Sequence, residues 1–220
     1  MHADAVTRLA TVTFPGPAGD LEGLLHERDS VRPSVIAVVC PPHPLYGGTL
    51  HNKVVHRVAG TLHQLGAAVL RLNFRGVGKS AGVFDRGPGE IEDARAALAY
   101  LRSRHPGAHA WLAGFSYGSW VAAALADRER DLEKLILIAP PVGSMSFEAM
   151  RASPVPKLVV QGAADDVCPV QDLDREFPTW APPKALVLVD GASHFFDRRL
   201  ESLADAVSRL VSGPPEGAGA

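Results

Sequence analysis

The chain is expected to fold as a mostly parallel, twisted β-sheet with helices on both faces and no cap domain. Three observations predict this α/β class. Short continuous apolar runs recur from Val35 onward, which is the pattern of strands covered on both faces. Segments of helical period separate them. Gly and Pro punctuate the joins.

Two runs precede that alternation. Leu9 to Phe14 and Leu21 to Glu27 alternate loosely around Pro15 to Asp20, which predicts a hairpin at the sheet edge. Val35 to Cys40 is the first run expected to be buried on both faces. A helix is expected from about Leu50 to Leu65, with Val54, Val58, Leu62 and Leu65 on one stripe. Gly66 stops it, and Ala68 to Phe74 is the next strand. A Gly-rich stretch, Arg75 to Gly89, leads to a helix from about Glu90 to Arg104. Ile91, Ala94, Leu98 and Leu101 form its buried stripe, and Pro106-Gly107 ends it.

Ala110 to Phe115 reads as a strand and Tyr117 to Asp127 as an alanine-rich helix. Strands follow at Lys134 to Ala139, Lys157 to Gln161 and Ala185 to Asp190. A short helix falls near Val170 to Phe177, and a last one runs from about Asp197 to Val211. The link from Pro140 to Pro156 has room for one turn of helix around Phe147 to Met150. It is too short for a cap, so a site at this end of the sheet is expected to be open.

Composition bounds the function. At 220 residues with 46% hydrophobic side chains, residues 1–212 suffice for one domain with a large core. Gly213 to Ala220 is rich in Gly, Pro and Ala and reads as a disordered tail. Net charge is −2 and the basic residues are scattered, so neither a nucleic-acid footprint nor a polybasic membrane patch is expected. No apolar run reaches membrane-spanning length. Met1 to Thr13 lacks a basic region followed by an apolar core. Cys40 and Cys168 are therefore expected to be reduced thiols in a cytoplasmic protein.

The chemistry centres on Gly114-Phe115-Ser116-Tyr117-Gly118, a G-x-S-x-G turn between a strand and a helix. Glycines at both flanks allow a turn too tight for side chains and lift the serine hydroxyl out of the backbone. The amide of Tyr117 opens the helix and can face a developing oxyanion. Acyl transfer through serine requires that arrangement.

Ligands gather at the carboxyl ends of parallel strands. Ser116 ends one strand, Asp165 follows a second and His194 follows a third. His194 is the candidate base and Asp165 the residue that orients it. Asp166 competes for the acid role, since an Asp after a strand also caps turns. The loop Cys40-Pro41-Pro42-His43-Pro44-Leu45-Tyr46-Gly47-Gly48 is placed for a second oxyanion amide. Pro44 has no N–H. Leu45 is chosen by analogy with His-Gly-x loops, with Tyr46 second.

Two motifs point elsewhere. Gly76-Val77-Gly78-Lys79-Ser80-Ala81 fits a dinucleotide fingerprint and ends in Gly-Lys-Ser. The residues after Ala81 open no helix, so nothing there offers a helix N-terminus to a phosphate. His51, His56 and His63 share a helix without the i, i+4 spacing of a metal pair.

Taken together, the segments HPLYGG (from His43), HNKVV (from His51), LNFRGVGKSAGVFD (from Leu72), LAGFSYGS (from Leu112), IAPP (from Ile138), QGAADDV (from Gln161) and SHFF (from Ser193) resemble the α/β-hydrolase superfamily. The likeness is closer to a group of small, lidless bacterial members and covers about Val35 to Leu200. It implies a sheet of about eight strands with the second antiparallel, and Ser116, Asp165 and His194, in that chain order, as a catalytic triad. It also implies that the NFRGVGKS segment is a structural loop. Pro42 departs from the His of many relatives, which bears on the shape of the oxyanion loop. The resulting expectation is a serine hydrolase, a carboxylesterase on small acyl esters, with no cofactor and no metal. Its partner is a small-molecule ester, with no nucleic acid or membrane, and an edge strand or exposed helices could support a homodimer. Thioesterase, lactonase and peptidase share the same chemistry, and a non-catalytic binding protein could share the fold.

Overall fold

The computed structural model describes residues 6–29, 31–129 and 131–213. Its strands are β1 (Thr7–Gly16), β2 (Gly19–Arg28), β3 (Val35–Cys40), β4 (Ala68–Leu72), β5 (His109–Phe115), β6 (Leu132–Ile138), β7 (Lys157–Gly162) and β8 (Lys184–Val189). Its helices are α1 (Lys53–Gln64), α2 (Pro88–Arg104), α3 (Tyr117–Ala126), α4 (Val170–Glu176) and α5 (Leu200–Ser212). All eight strands form one sheet in the order β1-β2-β4-β3-β5-β6-β7-β8. The pairs β1–β2 and β2–β4 are antiparallel, and the rest are parallel.

Strand β3 shows why the central runs are apolar throughout. Ile36, Val38 and Cys40 enter the core shared with α2 and α3. Ala37 and Val39 enter the core shared with α1 and α5. A side-chain period of two thus feeds both layers, and a polar residue at either parity would be buried. All five of these side chains are within 1% of full burial.

Several boundaries differ from the expectations, each for a local reason. The hairpin link shrinks to Pro17-Ala18, because Gly16 pairs with Gly19 at the end of the ladder. Helix α1 starts at Lys53, not Leu50, because the Asn52 side chain accepts the N–H of Val54 at 2.9 Å and caps it there. Helix α2 starts two residues early, with Pro88 in its first turn and the Glu90 carboxylate reaching back to the Gly87 N–H at 2.7 Å. Helix α5 starts at Leu200, because Phe196 and Arg198 hold left-handed backbone (φ 52° and 58°) and form tight turns. Strand β4 stops at Leu72, two residues short.

Between β6 and β7 a single 3₁₀ turn, Glu148–Arg151, occupies the expected place. Phe147 and Met150 are buried there, and Phe147 stacks on Trp180 at 5.6 Å between ring centres. This anchors the link against the α4 side of the sheet. Of the expected tail, residues 214–220 lie outside the described residues. Among the described residues no helix is long and apolar enough to cross a membrane.

Candidate active site

The nucleophile elbow forms where β5 runs into α3. Ser116 has φ 52° and ψ −121°, a left-handed conformation that costs a non-glycine residue about 1–3 kcal/mol. Its neighbours hold it there. The Ser116 N–H donates to the Ile138 carbonyl at 2.9 Å, and its carbonyl accepts from the Ser119 hydroxyl at 2.6 Å. A Cβ at position 114 would collide with the Gly118 carbonyl, and one at 118 with the carbonyls of Cys40 and Pro41. Both glycines are therefore demanded by close approach, and the second presses the start of α3 against the loop after β3.

Tyr117 follows the elbow, and its ring packs 4.7 Å from His43 and 5.6 Å from Trp120. Its hydroxyl donates to Glu90 Oε2 at 3.2 Å. Burial, then the Glu90 charge, pushes the Tyr117 hydroxyl well above the usual phenol range, so it stays protonated.

Asp165 lies on the turn after β7 and His194 on the turn after β8. The two turns are joined by backbone bonds, Ala163 N–H to Val189 at 2.9 Å and Ala164 N–H to Ala192 at 2.9 Å. Asp165 Oδ2 faces His194 Nδ1 at 2.8 Å, and both side chains are buried. The same oxygen accepts from Gln161 Nε2 at 2.9 Å. Oδ1 accepts the N–H groups of Val167 at 2.9 Å and Cys168 at 2.7 Å. Asp166, by contrast, is exposed.

Asp165, Cys168 and His194 also bring a carboxylate, a thiol and an imidazole within 4.8 Å of one another. Their chemistry does not suit a cation. Four donors already fill the four acceptor positions of the carboxylate. Burial, aided by Asp165 and Asp172, pushes the Cys168 thiol up to about 12, so it holds its proton.

Ser116 and His194 line one cavity of about 170 Å³, with Pro42, His43, Tyr46, Asn52, Val167 and Phe195 around it. The structure thus gathers Ser116, Asp165 and His194 at the carboxyl ends of the strands. It does not bring Leu45 to them in the expected way. The Leu45 N–H donates to His43 Nδ1 at 3.2 Å, and its side chain is exposed. Tyr46 lines the cavity, but its N–H donates to the His43 carbonyl at 3.1 Å. The His43 N–H donates to no acceptor among the described residues. Burial holds the His43 imidazole below its ordinary pKa, which keeps Nδ1 an acceptor for Leu45.

Sequence reasoning passed over His43, Gln161 and Asn52. Gln161 sat inside a recognised segment, but nothing marked its side chain as the brace of Asp165. In the Gly76 to Ala81 loop two polar groups are engaged by the protein itself. The Lys79 N–H donates to Glu22 Oε2 at 3.0 Å, and the Ser80 hydroxyl to the Asn73 carbonyl at 2.8 Å. No helix opens until Pro88. His63 stacks on His26 at 3.8 Å and contacts the Ala67 carbonyl, away from the other two histidines of that trio in role.

Residues 37–151 match the family described as serine aminopeptidase, S33. An uncharacterized protein of Rickettsia prowazekii is 36% identical over 206 residues, which covers 90% of this chain and 86% of that one. A serine hydrolase homologue of the alpha-beta class from Coxiella burnetii superposes with a TM-score of 0.88 at 37% identity, covering 96% of this chain and all of its own (100%). A serine hydrolase without lid from Xanthomonas campestris gives 0.85 at 37% identity, covering 94% and 97%. The chain belongs to the α/β serine hydrolase superfamily.

Proposed function

We propose that the chain is a carboxylesterase that cleaves small esters through Ser116, His194 and Asp165. The observation that carries this reading is the buried 2.8 Å contact of His194 Nδ1 with Asp165, beside a cavity that the elbow serine shares. With its proton held on Nδ1 and hydrogen-bonded to the carboxylate, His194 has Nε2 as the basic nitrogen. Ser116 Oγ attacks the ester carbonyl while its proton passes to Nε2. The tetrahedral intermediate collapses, the ester C–O bond breaks, and Nε2 returns the proton to the departing alcohol. Water then attacks the acyl-serine by the same relay, which frees the acid and restores Ser116. Asp165 stabilises the imidazolium in both halves.

For the oxyanion, the amides of Tyr117 and His43 replace the expected pair of Tyr117 and Leu45. Among the described residues the His43 N–H has no acceptor, and its residue lines the cavity, whereas the Leu45 N–H is engaged. Such a donor is worth about 10²- to 10³-fold in rate. An ester is favoured over a peptide with a free amino terminus, because an α-ammonium needs a carboxylate to receive it. Among the described lining residues none is acidic, and Asp165 has no acceptor position to spare. The mechanism asks for no cofactor.

Ser116→Ala should lower turnover of p-nitrophenyl acetate by about 10⁴-fold or more and keep the circular dichroism of the wild type. A fluorophosphonate probe should label the wild type at Ser116 and leave the variant unlabelled. Near-normal turnover by the variant would remove Ser116 as the nucleophile.

A further inference from the structure

We infer that the mouth of this cavity is a subsite for an aliphatic chain, so that the preferred substrates are esters carrying a chain longer than acetyl. The inference rests on the esterase reading and names its substrate class.

Ten large apolar side chains are exposed among the described residues, and three of them line this one cavity. Tyr46 (88% exposed), Val167 (60%) and Phe195 (43%) line it directly. Leu45 (69%) precedes Tyr46 in the same 3₁₀ turn. The three lining residues come from three separate loops, after β3, β7 and β8. Single exposed apolar residues are ordinary, but a group converging on one opening marks a place that an apolar partner covers.

The occupant is the substrate itself, because the collar is continuous with the cavity that holds Ser116 and His194. Charge agrees with this. Lys53 Nζ lies 5.9 Å from the centre of the Phe195 ring and is already paired with Asp197. A substrate carrying its own charge at this position would compete with that ion pair, whereas an aliphatic chain leaves it intact.

Covering a methylene completely is worth about fourfold in affinity for the transition state, and a collar that touches one side about twofold. The test measures kcat/KM, at monomeric substrate concentrations, for p-nitrophenyl esters from acetate to octanoate and for alkyl acetates from methyl to octyl. The two series separate a chain on the acid from a chain on the alcohol. The expected result is a rise of about tenfold or more over four added methylenes in at least one series. In the double variant Tyr46→Ser, Val167→Ser the ratio of long-chain to short-chain kcat/KM should fall severalfold. The Val167 backbone N–H that holds Asp165 is retained in that variant, and its melting temperature is checked beside the wild type. Turnover with flat profiles in both series, or an unchanged ratio in the folded double variant, overturns this inference alone. No turnover of any ester, with no fluorophosphonate label on Ser116, overturns the esterase reading and this inference with it.

Discussion

At the scale of single residues, Asp165 and Asp166 are adjacent in sequence and opposite in circumstance. Asp165 is buried with every acceptor position filled, and Asp166 faces solvent. Asp165→Asn would turn an NH₂ group toward some of four donors and leave buried N–H groups unpaired, each at about 1–3 kcal/mol. We expect ester turnover to fall by about 10³- to 10⁴-fold and the melting temperature to drop. Asp166→Asn should leave both near wild type. Kinetics and thermal melts on the pair would reverse the assignment if Asp166→Asn proved the damaging change. The preference for Asp165 was legible from its place in the QGAADDV segment. The amide proposed for the oxyanion was not, because that choice depends on which N–H groups a 3₁₀ turn consumes. His43 accepts three N–H groups, from Leu45, Tyr46 and Gly48, and its own meets no acceptor among the described residues. Composition carries no trace of that distribution.

At the scale of elements, the alternation of apolar runs with helical periods was enough to place every strand and helix, and the ends were where local chemistry intervened. Asn52 is the clearest case. Leu50 looked like a helical residue by its apolar character, yet its N–H is drawn to the Asn73 side chain at 2.8 Å and the helix starts only after the Asn52 cap. Asn52 also lines the cavity, so the same residue sets where α1 begins and closes one wall of the site. Asn52→Ala should cost about 1 kcal/mol of stability through the lost cap, read as a lowered urea midpoint at unchanged slope. An unchanged midpoint would mean that the α1 start is held by packing of Val54 and Val55 alone.

At the scale of the whole molecule, the antiparallel hairpin β1–β2 stands outside the strand–helix repeats and needs its own ties to them. Glu27 supplies one. Its carboxylate accepts from Arg104 Nη2 at 2.6 Å and Nε at 3.0 Å, joining β2 to the end of α2. The Arg104 hydrogen bonds hold the Glu27 carboxyl below its ordinary pKa, against the opposing effect of burial. A lowered folded-state pKa means the tie contributes fully above the ordinary carboxylate range and is lost as pH falls through the folded value. Glu27→Gln should therefore lower the melting temperature at neutral pH, and the gap to wild type should close on acidification. A gap that stays constant with pH would assign the loss to packing instead of charge. Which helix end receives the hairpin was not legible in the sequence, since Glu27 and Arg104 lie 77 positions apart and neither belongs to a motif.

Among the described residues the link between β6 and β7 is anchored by Phe147 against Trp180 and holds one 3₁₀ turn, with no lid. If an acyl group forms on Ser116, it stands in the same medium as every dissolved nucleophile, with no door to choose among them. Methanol or glycerol would then vie with water in proportion to concentration and intrinsic reactivity, and transacylation becomes an inherent side road of an uncovered catalyst.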